Sequence, residues 1–103
     1  MFRRGRFAEV ISRQLDLFER EHADLIRQAQ AAERSYDRGH REEAEQRYGD
    51  YLDLIETGTE LLADLRDNFA ATLDAGPDEE YEAAFNRAVA KRLKPFALEI
   101  ENR

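Results

Sequence analysis

Glu19 and His22 are the two residues whose types and spacing come closest to a chemical site. They stand three apart in the run Glu19-Arg20-Glu21-His22, so a helix places the carboxylate and the imidazole on one face. That pair is a partial ligand set for iron or another divalent metal. The same histidine also has a packing role open to it. It is the single polar residue in the middle of an apolar seam, and the helix pairing derived below sets it opposite Gly58. An imidazole filling that notch, hydrogen-bonded to Thr59 or to a backbone carbonyl, accounts for both residues without a metal. Packing is the reading the residues favour. Nothing else assembles a reactive centre. His40 falls in a connection beside a helix start, and cysteine is absent, which removes thiolate ligands, thiol nucleophiles and disulfides. Ser12 and Ser35 read as helix-surface residues, and Gly5, Gly39, Gly49, Gly58 and Gly76 are scattered rather than grouped as a phosphate loop. No carboxylate pair stands apart from the charged surface as general acid and base. No catalytic and no cofactor-binding residue is assigned, and the chain reads as a non-enzyme.

Glu19-x-x-His22 resembles the metal-ligand motif of carboxylate-bridged di-iron bundles, the ferritin-like proteins. The resemblance covers four residues. It implies an iron site built from two such pairs and two further glutamates, of which this chain carries one pair. A dimer interface would supply the second, with Glu56 or Glu60 as candidates on the facing helix. Both lie two residues from Gly58 and so turn away from His22. A second likeness sits in the run SYDRGHREEAEQRY, where Tyr36, Gly39, Ala44 and Tyr48 look like the turn of a tetratricopeptide repeat. That family stacks 34-residue helix pairs to bind peptides. Here the motif occurs once, between helices two to three times too long. It reads as convergence on how small and aromatic residues close a helical hairpin.

The elements that must position these residues are legible from periodicity. Ala44, Tyr48, Tyr51, Ile55, Gly58, Leu62, Leu65, Phe69 and Thr72 recur in alternating steps of four and three, the period of a helix packed lengthwise on another, as in a coiled coil. A second seam, Ile11, Leu15, Phe18, His22, Leu25, Ala29, Ala32 and Tyr36, has the same steps. The spacing predicts one helix over about 6–37, a turn at Gly39 and His40, and a second helix over about 40–75. A connection this short makes them antiparallel neighbours. With the turn centred near residue 40, paired positions sum to 80: Ala32 meets Tyr48, Leu25 meets Ile55, His22 meets Gly58, Leu15 meets Leu65. Gly76-Pro77 then opens a third helix over about 78–93, too short to cover more than the open half of the hairpin. Phe96, Leu98 and Ile100 alternate with Ala97, Glu99 and Glu101, the pattern of an extended C-terminal tail with one apolar face. The fold class is all-α, a single helical-bundle domain over 1–103.

That architecture leaves Ile26, Leu52 and Leu54 beside a two-helix seam in the turn half, an interaction surface suited to a homodimer or higher assembly, or to another protein. Arginines at 6, 13, 20, 27, 34 and 41 line the back of the first helix, and Asp53, Glu60, Asp67 and Asp74 the back of the second. These stripes are solvated faces first and stacking surfaces second. With 23 acidic against 16 basic residues, the chain is acidic, and its net charge of −7 argues against nucleic-acid binding. Arg3, Arg4 and Arg6 form a local basic end, read as solvated tail. No apolar run approaches the roughly 18 residues of a membrane span, so a cytoplasmic protein without membrane contact is expected. The overall expectation is a homo-oligomeric helical interaction or scaffold module, with the metal-binding bundle as the alternative.

Overall fold

With 38% charged residues, two prolines and two sustained apolar seams, the sequence has the means to form amphipathic helices and few residues that stop them. A computed structural model describes residues 5–38 and 44–103, and the side-chain surroundings of 5–34 and 48–103. The described residues are mostly helical and contain no strand. In order they form α1 (Ala8–Glu21), α2 (Ala23–Arg38), α3 (Ala44–Ala70), α4 (Pro77–Arg92), a 3-10 turn (Lys94–Phe96) and α5 (Ala97–Glu101). The expected turn residues Gly39 and His40, the stripe arginine Arg41, and the side chains of the seam residues Tyr36 and Ala44 lie outside those described.

The continuous helix expected over 6–37 is two helices, broken at His22. His22 leaves helical geometry at φ −121° and ψ 31°, and its N–H still closes on the Phe18 carbonyl at 2.9 Å. The ladder resumes when the Ile26 N–H donates to the His22 carbonyl at 3.0 Å. Neither Pro nor Gly marks the place. The break sits where the chain changes partner: α2 packs along α3, while α1 packs principally on α4. A bend at one residue keeps the apolar faces of both stretches inward, which is why the seam reads straight across it.

α4 matches its expected span closely. Gly76 adopts φ 102°, a backbone region that disfavours side chains, and Pro77 follows at the start of the helix. The Asp78 carboxylate accepts from the Gly76 and Glu79 N–H groups at 2.9 and 2.7 Å. Asp78, Glu79 and Glu80 in the first turn and Lys91 and Arg92 in the last complement the helix dipole. Its buried face is Tyr81, Phe85 and Val89, spaced by four.

The C-terminal tail is not extended. After Leu93 the chain folds back as the 3-10 turn and α5, burying Phe96 and Ile100 completely while Leu98 stays 73% exposed. Positions 96 and 100 share a face under both a period of 2 and a period of 3.6. Only position 98 separates the two, and it points outward as a helix requires.

This fold-back also reassigns the notch at Gly58. A Cβ there would lie 2.3 Å from Cε1 and 2.6 Å from Cζ of Phe96, so the aromatic ring rests on the bare Cα of α3. The expected occupant, His22, instead packs its ring against that of Phe18, tilted by 45° with centroids 4.8 Å apart. A complete phenyl ring buries more apolar surface in the gap than a half-buried imidazole does.

The core joins Ile11, Leu15 and Phe18 of α1, Ile26 and Ala29 of α2, Ile55, Leu62 and Ala63 of α3, and the buried faces of α4 and α5. At its open end Tyr81 packs against Phe7, Phe69 and Phe85, and its hydroxyl donates to the Gln14 side chain at 2.8 Å. The molecule measures 50 × 29 × 21 Å.

Candidate interaction surface

Glu19 and His22 have different surroundings. The Glu19 carboxylate pairs with the guanidinium of Arg92, which also donates to Asp16 Oδ1 at 2.7 Å and, at 3.4 Å, to the Ser12 carbonyl. Asp16 and Glu19, three apart on α1, thus hold α4 through one arginine. The hydrogen bond to Asp16, ahead of that to Glu19, raises the Arg92 pKa above its ordinary value. A metal at Glu19 would have to displace this guanidinium. Among the described residues, no three His, Cys, Asp or Glu side chains converge to hold a metal.

The three residues expected to form an apolar patch separate. Ile26 is buried at 9% exposure, and Leu54 is half-buried against the core. Leu52 remains 44% exposed, and Tyr48, one turn earlier on α3, is 46% exposed. The C-terminal segment reaches both α2 and α3, so the region is less open than a bare two-helix hairpin. What stays open is a stripe along α3. Tyr48, Leu52 and Glu56 follow at intervals of four, Asp53 lies beside them, and Gly49 leaves open space where a side chain would stand.

A second feature lies between α1 and α4. Here a groove of about 330 Å³ runs over a floor of Ala8, Ile11, Leu15, Ala84 and Ala88. The small residues recur at intervals of four on α4, which keeps the backbone close to the floor. Arg87 and Lys91, also four apart, stand exposed on its edge, and Arg92 adjoins them. Arg6 pairs with Glu80 at 3.9 Å, and Arg27 pairs with Asp24 on its own helix. The remaining described arginines of the first-helix stripe, at 13, 20 and 34, are exposed.

One charged residue of the interior went unmarked by sequence reasoning, as did one exposed inter-helix link. Arg66 is 3% exposed; it donates to Asn86 Oδ1 at 3.0 Å, to the Ile100 carbonyl at 3.1 Å and to Asp67 Oδ1 at 2.8 Å. It thereby ties α3 to α4 and to the end of α5. The signal was available: Ala63 and Ala70 flank Arg66 at helical spacing and leave room for its stem on the buried face. The Arg92 link to α1 had no local signal, since its partners are more than 70 positions away.

The fold places the chain among all-α proteins. No family model matches it, and comparison with curated proteins and with solved structures also finds no match. Among the described residues, no helix is long and apolar enough to cross a membrane.

Proposed function

We propose that this chain is a non-enzymatic helical interaction or scaffold module that works as a homo-oligomer. The observation that carries the reading is the α3 stripe, where Tyr48 and Leu52 keep 46% and 44% of their surface in solvent. Apolar side chains repeated on one helical face are what a helix presents to a partner. In this reading α2 and α3 form an antiparallel hairpin with positions paired about residue 40, and the hairpin is the platform that displays the stripe. A second copy is the simplest partner, because self-complementary pairs are the commonest soluble assemblies.

Light scattering on the purified chain, beside a Leu52→Arg variant, tests this. The wild type is expected at a mass of at least two 12.0 kDa chains at micromolar concentration, and the variant at a lower average mass with unchanged helical circular dichroism. Equal masses for the two proteins would remove α3 from the interface.

A further inference from the structure

The α1–α4 groove and the α3 stripe are complementary in shape and in charge. On the groove side, an apolar floor lined by Ala8, Ala84 and Ala88 is edged by Arg87 and Lys91. Neither cation has a carboxylate partner among the described residues. In a chain of net charge −7, two unneutralised cations flanking an apolar trough are a local reversal of the prevailing field. On the stripe side, Tyr48 and Leu52 are apolar and exposed, and the carboxylates of Asp53 and Glu56 beside them have no cation partner among the described residues. Gly49 and the alanine floor both lack bulk, so two backbones can approach closely there.

We infer that the α3 stripe of one chain docks in the α1–α4 groove of a second copy, with Tyr48 and Leu52 on the alanine floor and Asp53 and Glu56 against Arg87 and Lys91. The inference rests on the homo-oligomeric reading above and specifies which surfaces meet. The interface joins two different patches. Two copies that exchange both contacts close as a two-fold dimer, and copies that make one contact each form an open chain. The paired charges set register and speed encounter, while the apolar floor supplies the desolvated centre.

Sedimentation velocity with complementary charge reversals tests the pairing. A groove variant carries Arg87→Glu and Lys91→Glu; a stripe variant carries Asp53→Lys and Glu56→Lys. All four positions are exposed, and circular dichroism checks each fold. Each variant alone is expected to self-associate at least about tenfold more weakly than wild type, because every contact then joins like charges. An equimolar mixture is expected to recover a one-to-one complex, since both contacts in it again join opposite charges. If the wild type associates and either variant associates equally well, the surfaces are wrong while the homo-oligomeric reading stands. Weakened variants that fail to recover on mixing likewise overturn the pairing. A wild type that is monomeric throughout sinks both.

Discussion

Replacing Gly58 with alanine should destabilise the fold, although the same change in an open helix stabilises it. At an unhindered helical site, Gly→Ala gains about 1 kcal/mol from reduced backbone freedom in the unfolded chain and better helix propensity. Gly49 is such a site, with no atom within 4 Å of its would-be Cβ. At Gly58 the new methyl would lie 2.3, 2.6 and 2.9 Å from three carbons of the Phe96 ring. Ordinary carbon–carbon contact is about 3.5–4.0 Å, so the nearest overlap exceeds 1 Å. The ring cannot yield outward, because Phe96 is fully buried. Overpacking of this kind costs about 1–3 kcal/mol, and complete expulsion of a phenylalanine about 3–5 kcal/mol. After subtracting the propensity gain of about 1 kcal/mol from the overpacking cost, Gly58→Ala should lose up to about 2 kcal/mol while Gly49→Ala gains up to about 1. Urea unfolding followed by circular dichroism resolves a difference of that size. A Phe96→Leu background should shrink the penalty at Gly58, which ties the effect to the ring. If Gly58→Ala stabilises the protein as Gly49→Ala does, Phe96 does not occupy the notch and the placement of the C-terminal segment is wrong.

Arg66→Met should cost about 1–3 kcal/mol in urea unfolding, because it removes the buried guanidinium's hydrogen bonds to Asn86 and to the Ile100 carbonyl. Arg66→Lys should recover little of this, since a single ammonium does not reproduce the fork; full recovery would argue against the geometry. Burial raises the Tyr81 pKa from 10.0 to about 12. Its neutral form is therefore favoured in the fold: the stabilisation is complete below pH 10 and is lost as pH rises from 10 to about 12, at up to about 1.4 kcal/mol per pH unit. Alkaline unfolding of Tyr81→Phe should lack that component, and identical profiles for the two proteins would contradict it. The Thr59 hydroxyl is fully buried and has no hydrogen-bond partner among the described residues, so Thr59→Val should be neutral or stabilise by about 1 kcal/mol. A loss larger than about 1 kcal/mol in thermal unfolding would reveal a bond to that hydroxyl.

The all-α class and the span of α4 were legible because they depend on local signals: apolar period, the Gly76-Pro77 break and acidic first-turn residues. The break at His22 was not, since it answers to which helix each half packs on, and both halves keep the same inward face. Phe96 and Ile100 satisfy strand and helix periods alike, and the deciding position, Leu98, carries an apolar residue on the solvent side. That one residue made a helical segment read as an extended tail. The notch at Gly58 was recognised as a packing device, but its occupant came from the far end of the chain. Among the site residues, Leu52 is exposed as an interaction surface requires, whereas Ile26 is buried. Glu19 is engaged by Arg92, a partner that no spacing within one helix reveals.

Sedimentation equilibrium of the unmodified chain over a range of micromolar concentrations measures the central claim most directly. Association through the α3 stripe gives an average mass that rises with concentration toward at least twice the 12.0 kDa of one chain. A single species of 12.0 kDa at every concentration would contradict it.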